Sequence, residues 1–302
     1  MPQYKSYNQA AKPSIGYLFA ILGFAMILGI ISSVLITPLL NLAIADEAYL
    51  IFVTQIINAI LTMLIPAWLT EKYFRSKHFT YLYEAKITDL NRQSIFYAIV
   101  LILAVIPLVS TSSYLMEQLP IPKFLEEAIN RIDAMLDETY DLFLLEKRPL
   151  GIILSLISIA VIAPIAEEYL FRGAIQGWIL SHAKNVHIAV WITAFIFSMI
   201  HMQWSGFLAR FFLGAILGYT AIYGGIWMAI FLHFLNNLFT FILTQMYGAE
   251  DIYLSPVTTE DYIIIVSSTL CSIVIIYYIF SRMKKKNERE LKLDTNRNEY
   301  EN

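Results

Sequence analysis

Charged residues are scarce in this sequence, and their distribution decides the class of protein. Only 15% of the 302 residues are charged, against about 25% in an ordinary soluble protein. A helix needs about 20 apolar residues to cross a bilayer, and seven stretches near or above this length contain no charge. They are 13–45, 48–70, 93–116, 149–166, 185–209, 211–249 and 262–281. The sequence therefore predicts an all-α, polytopic integral membrane protein, and excludes soluble secretion and nucleic-acid binding.

Cysteine is also nearly absent, and Cys271 is the only one in the sequence. One cysteine cannot form an intrachain disulfide or a cysteine-based zinc site. Cys271 lies in an apolar run, so we interpret it as a small buried hydrophobic residue.

The apolar stretches divide into eight predicted spans. We place them at 14–41, 49–71, 94–116, 149–179, 186–203, 206–223, 226–247 and 260–281. Lys and Arg are concentrated in the N-terminal tail, in the loop 72–93 and after residue 281, whereas the loops 46–48 and 248–261 contain none. Since cytoplasmic loops are enriched in Lys and Arg, we expect both termini in the cytoplasm. The short loops and lysine-rich tail favour a bacterial plasma membrane.

The segment 117–148 is assigned to the outside, although it carries four basic and eight acidic residues. Its apolar residues recur at helical spacing, which predicts an amphipathic helix lying on the membrane or over the bundle. A solvated helical hairpin arm fits the pattern equally well. The polar tail from residue 287 onward is predicted to be disordered.

Ionisable side chains inside spans are costly, so each indicates a functional site. The sequence contains few of them: Glu167, Glu168, Arg172, His201, Arg210 and His233. Glu168 and Arg172 are four residues apart on a helix and can form an ion pair, while Glu167 points about 100° away. Pro164 has no N–H, so it is expected to leave the carbonyl of Ala160 without its helical partner.

Two other helices carry polar residues that could act with Glu167. His201 follows Phe197 by four residues in the predicted fifth span, and His233 and Asn237 share one face of the seventh, where the neighbouring Asn236 could compete with Asn237. Each has an ordinary structural explanation, such as a buried histidine or an interhelical asparagine. Together they suit water activated by Glu167 and polarised by His201, with His233 and Asn237 donating to an oxyanion. Ligand types alone also permit a metal site of one Glu and two His.

Two further expectations concern packing and depth. Gly214 and Gly218 form a small-xxx-small face, which we interpret as close packing within the molecule. A rise of about 1.5 Å per residue puts Glu167 and His233 at similar depths, in the cytoplasmic half of the bundle and open to that side. The same estimate puts His201 deeper than these two.

The sequence also resembles a known family. E-E-x-x-x-R at 167–172, F-x-x-x-H at 197–201 and H-x-x-x-N at 233–237 match, in order, the three motifs of the CPBP family of CAAX prenyl proteases and bacteriocin-processing or self-immunity proteins. The resemblance implies an intramembrane glutamic endopeptidase that needs no metal and no cofactor. It implies Glu167 as general base, His201 as its partner on the water, His233 and Asn237 as the oxyanion site, and Glu168 and Arg172 as supporting residues.

This resemblance suggests three parts: 1–148 with three spans and the amphipathic segment, 149–247 as a four-helix catalytic core, and 248–302 with the last span and tail. Expected partners are membrane lipids and a membrane-bound or peptide substrate. The oligomeric state and the need for prenylation stay open. Two alternatives remain: a non-catalytic protein that binds a peptide, as an immunity factor does, and, less favoured, a proton-coupled transporter.

Overall fold

A computed structural model describes residues 14–76, 90–121, 123–247 and 259–300, and these residues form helices and no strand. The all-α class is thus confirmed. The helices are α1 (Ile15–Ala43), α2 (Glu47–Ser76), α3 (Arg92–Glu117), α4 (Lys123–Leu144), α5 (Pro149–Ala183), α6 (Val186–Ile200), α7 (Phe207–Gly224), α8 (Ile226–Tyr247) and α9 (Thr259–Tyr300).

Polar side chains mark where several helices begin. Ser14, Asp46 and Asn91 precede α1, α2 and α3, and each accepts a hydrogen bond from the backbone N–H three residues on. Asn185 does the same at the start of α6. The first turn of a helix leaves its N–H groups without partners, and such caps satisfy them. The helix boundaries therefore follow from local sequence.

Within the described part of the chain, seven helical stretches are long and apolar enough to cross a membrane, one fewer than predicted. The predicted span 186–203 corresponds to α6, which has only 15 residues. At 1.5 Å per residue α6 is about 22 Å long, short of a hydrocarbon core of about 30 Å. The apolar pattern continued past Ile200, but the helix ends there and an irregular turn carries the chain to α7.

α7 is the most enclosed of these stretches. Of its 18 residues 56% are buried, against 11% in the most apolar 18 residues of α1. Its small residues let α6 approach closely. A Cβ added at Gly214 would lie 3.2 Å from the Cα of Ala194, and one at Gly218 would lie 3.0 Å from Cγ1 of Val190. The predicted intramolecular packing of this glycine pair is therefore confirmed.

Replacing Gly214 by leucine is expected to destabilise the bundle, because the new side chain has no space against α6. Overpacking of this kind costs about 1–3 kcal/mol. Gly23 is the matched control, since a Cβ built on it meets nothing within 4 Å. Thermal unfolding in detergent should show a lower midpoint for Gly214→Leu and little change for Gly23→Leu. Equal midpoints would contradict the close contact.

The loops gather at two ends of the bundle. One end, which we call the α4 pole, contains α4, the turns 44–46 and 201–206, and the C-terminal end of α8. Arg148 joins the start of α5 to the turn before α2 at this pole. Its guanidinium pairs with Asp46 and, at 2.6 Å, with Glu146. This cation holds the pKa of Asp46 below its ordinary value and lowers the pKa of Glu146 to about 2.

We call the opposite end the basic pole. It contains the C-terminal end of α2, the N-terminal end of α3, the turns at 184–185 and 225, and residues 282–286 of α9. Two contacts hold α9 there: Lys286 Nζ donates to Gln93 Oε1 at 3.1 Å, and the side chain of Met283 packs close to Gly224. The Lys and Arg clusters of the described residues lie mainly at this pole, because the chain returns to it after each pair of long helices.

Two predictions about α9 are wrong. Cys271 is exposed on the surface of α9 rather than buried, because α9 packs on the bundle along one face only. The stretch 287–300, predicted to be disordered, continues α9 as a helix to Tyr300. Its Glu, Lys, Arg and Leu content favours helix, and the apolar helix before it supplies the nucleus on which further turns form easily. The predicted N-terminal tail lies outside the described residues.

Candidate functional site

The backbone of α5 is irregular on both sides of the two glutamates. Leu156–Ile162 and Tyr169–Gln176 have the wider spacing of π-helix, and the ordinary α-helical turn Ala163–Glu168 lies between them. Wide turns of this kind occur often at functional sites, because they displace side chains from the regular helical register. Here they place Glu167 and Glu168 where α5 meets α6 and α8.

A carbonyl upstream of Pro164 has its partner on another helix. In the wide turn the N–H of Ala163 bonds to the carbonyl five residues back, at Ser158. At this spacing Pro164, which has no N–H, leaves the carbonyl of Ile159 without a helical partner. The Nδ2 atom of Asn237 donates to this Ile159 oxygen at 2.8 Å and joins α8 to α5. Its amide has a second N–H, which can donate to another acceptor.

Glu168 lies at the centre of a buried polar network. Its Oε2 accepts from Arg172 Nε at 2.8 Å, and both side chains are completely buried. The predicted ion pair between these residues is thus present. The other oxygen of Glu168 lies 3.0 Å from Nδ1 of His233, which is also buried. This contact, which the sequence did not indicate, fixes the orientation of the His233 ring.

Glu167 has a different environment from its neighbour. Its side chain is 14% exposed, and its Oε2 lies 3.8 Å from Nε2 of His233. This distance is too long for a hydrogen bond. The carboxylate of Glu167 can therefore be reached from outside the protein. It lies near Nε2 of His233, whereas Glu168 contacts Nδ1 of the same ring.

His201 lies just beyond the C-terminal end of α6. Its Nδ1 is 2.7 Å from the carbonyl oxygen of Phe197. A carbonyl can only accept, so Nδ1 carries hydrogen and Nε2 is the nitrogen left for other contacts. The Phe197 ring lies near both histidines, with its centroid 4.8 Å from that of His201 and 6.1 Å from that of His233.

The structure thus brings predicted residues of α5 and α8 together. Short contacts join Glu168 to Arg172 and His233, Glu167 lies 3.8 Å from His233, and Asn237 joins α8 to α5 through the carbonyl of Ile159. His201, at the end of α6, contacts the ring of Phe197, which also lies near His233. Among the described residues, no three His, Cys, Asp or Glu side chains are arranged so that they could hold a metal ion.

His201 lies nearest the α4 pole, because α6 ends beside it and the turn that follows it bonds to α4. His233 lies near the start of α8, closer to the basic pole, and contacts Glu168 in the middle of α5. This contact agrees with the predicted similar depth of Glu167 and His233. The position of the site in the cytoplasmic half stays a prediction.

Sequence reasoning missed one buried polar residue of α5. Gln176 is completely buried, and its Nε2 donates to the carbonyl of Gly218 at 3.1 Å. Its uncharged side chain did not stand out among the ionisable residues, although a glutamine in an apolar span was itself a signal. Gln176 joins α5 to α7 and has no contact with Glu167.

Comparison with known families agrees with this geometry. Residues 149–239 match a family described as type II CAAX prenyl endopeptidase, Rce1-like. This stretch is similar to an Rce1-like domain. The match covers about a third of the chain and includes all three motifs. No curated protein and no solved structure matches the chain significantly. The Rce1-like domain indicates that the protein is a membrane-bound protease, and it contains every residue of the candidate site.

Proposed function

We propose that this protein is an intramembrane endopeptidase of the glutamic type, in which Glu167 activates water. The observation that carries the proposal is the contrast between the two glutamates. Glu168 is bonded to Arg172 and His233, whereas Glu167 is accessible and lies at the edge of the same network. A general base needs an accessible carboxylate in a fixed position. The Rce1-like match to residues 149–239 supports the same reaction.

In this mechanism a water molecule lies between Glu167 and His201. Glu167 takes one proton from the water as its oxygen attacks the carbonyl carbon of the scissile peptide bond. His201 orients the water through Nε2. The tetrahedral intermediate then collapses, the C–N bond breaks, and Glu167 returns the proton to the departing amine. No metal or cofactor takes part in these steps.

The oxyanion is stabilised by His233 and Asn237. His233 donates to Glu168 through Nδ1, so donation to an oxyanion through Nε2 requires that both ring nitrogens carry hydrogen. We therefore propose that His233 works as an imidazolium, whose charge Glu168 balances. The second N–H of Asn237 completes the oxyanion site. Removing one donor from such a site typically lowers kcat by about 100- to 1,000-fold.

The proposed substrate is a membrane-bound peptide or protein, reached through the lipid bilayer that surrounds the helices. A quenched fluorescent peptide ending in a CAAX sequence, farnesylated or unmodified, tests this with purified protein in lipid vesicles. We expect cleavage that a chelator does not inhibit, with mass spectrometry locating the cut. Inhibition by chelation would contradict the metal-free mechanism. Binding without cleavage of any peptide in a library would favour the non-catalytic alternative.

The orientation of the chain follows from the two poles. We propose that the basic pole faces the cytoplasm of a bacterial cell, so that both termini are cytoplasmic and the α4 pole lies on the other side. Alkaline phosphatase fused after residue 120 should then be active, and the same fusion after residue 286 inactive. The reverse pattern would contradict this orientation.

A further inference from the structure

His201 depends on support from outside its own helix. α6 ends at Ile200, and the next residue but one, Met202, has a left-handed backbone with a φ of 55°. From His201 to Gly206 the chain forms an irregular turn. The bond from Nδ1 to the Phe197 carbonyl fixes the rotation of the ring, but it does not hold the turn in place.

α4 provides part of that support, and the carboxylate of Asp133 makes the bonds to the backbone of the turn. Oδ1 of Asp133 accepts a hydrogen bond from the backbone N–H of Trp204 at 2.9 Å, and Oδ2 accepts one from Ser205 at 3.2 Å. One helical turn further on, Oδ1 of Asp137 accepts from Nε2 of Gln203 at 2.7 Å. Hydrogen bonds to an ionised acceptor are about twice as strong as neutral ones. Asp133 thus holds the backbone of the turn that begins at His201.

The C-terminal end of α4 is itself fixed to the helices of the site. Phe143 is buried against Phe52, with ring centroids 4.8 Å apart. The hydroxyl of Ser155, on α5, donates to the carbonyl of Phe143 at 2.6 Å, and Gln245 of α8 donates to that of Leu144 at 2.8 Å. α4 is therefore attached to α5, the helix that carries Glu167. Through α4, Asp133 connects α5 to the turn that begins at His201.

We propose that Asp133 is a positioning residue, which sets the distance between His201 and Glu167 by holding the turn 201–206. This inference rests on the proposed function, because it gives His201 a part in catalysis. It also assigns a role to the amphipathic segment, because α4 holds the turn that carries His201. The polar side of α4 contacts this turn, and apolar residues such as Phe124 and Met135 are exposed.

The test compares Asp133→Ala and Asp133→Asn with a matched control, Asp141→Ala. Asp141 is an exposed residue two turns further along α4. A small displacement of a catalytic group lowers the rate by up to about 100-fold. We expect kcat for the CAAX peptide to fall about 10- to 100-fold in Asp133→Ala, with KM changed less than about twofold. Asp133→Asn, which keeps one acceptor oxygen, should fall less. Asp141→Ala should match the wild type.

Two further measurements separate positioning from general stability. Asp133→Ala should not lower kcat further in a His201→Ala background, because a residue that acts only through His201 has no effect once that ring is gone. The amides of Trp204 and Ser205 should exchange hydrogen faster in Asp133→Ala alone. An additional loss of kcat in the double variant, or unchanged amide exchange, would overturn the proposal. A wild-type protein that cleaves nothing would instead overturn the proposed function, and amide exchange would still test the contact.

Discussion

Glu167→Gln is expected to abolish peptide cleavage while leaving the protein folded. Glutamine has the same shape as glutamate, but its amide cannot take a proton from water at neutral pH. General bases typically contribute about 100- to 10,000-fold to the rate, so kcat should fall at least about 100-fold. Glu167 is 14% exposed and has no short bond to His233, in contrast to Glu168. Thermal unfolding in detergent should therefore be almost unchanged.

Two control variants make this result specific. Glu127→Gln removes an exposed carboxylate on α4, which pairs only with Arg131 at the surface, and it should keep full activity. Glu167→Asp keeps a base but withdraws it by one methylene, so its activity should lie between those of wild type and Glu167→Gln. Normal turnover by a well-folded Glu167→Gln protein would contradict the glutamic mechanism, and the carboxylate would then have a binding role only.

The residues of the candidate site could be singled out in the sequence because their chemistry is so unusual for a membrane. A carboxylate pair, two histidines and an asparagine stand out in runs of apolar residues, and the Glu168–Arg172 pair follows from helical spacing alone. Contacts between helices were harder to predict. The bond from His233 to Glu168 and the bond from Asn237 to Ile159 depend on how α5 and α8 cross and on the wide turns of α5, which no periodicity in the sequence records.

Helix ends and the placement of one segment in the fold were also hard to predict from the sequence. The apolar runs indicated the number and order of helices, but they did not show that α6 stops at Ile200. They also left open whether the segment 117–148 lies on the membrane, over the bundle or in solvent. Its place on the turn 201–206 is set by Asp133 and Asp137. These are surface-type residues, and their partners are backbone amides and a glutamine more than 60 residues away.

Arg172→Gln is expected to be among the most destabilising single changes in the bundle. Arg172 and Glu168 are both completely buried, and no nearby cation of α5 can replace the guanidinium. Breaking a buried ion pair from one side costs about 3–5 kcal/mol, and the contact of Glu168 with His233 offsets only part of this loss. The guanidinium also lies 5.0 Å from the centroid of the Phe197 ring, so its loss removes a contact to a ring that packs near both His201 and His233.

An exposed ion pair of the same spacing is the natural comparison. Arg131 and Glu127 are also four residues apart and lie 2.9 Å from each other, but both are largely in solvent. Exposed pairs contribute about 0–1 kcal/mol, so Arg131→Gln should change the free energy of unfolding very little. Adding Glu168→Gln to Arg172→Gln should restore part of the lost stability, because it removes the carboxylate that lost its partner. Without that carboxylate His233 is neutral, and its Nδ1 still donates to the new amide oxygen. Equal losses for Arg172→Gln and Arg131→Gln, measured by unfolding in mixed micelles, would show that Arg172 is not held in the buried pair.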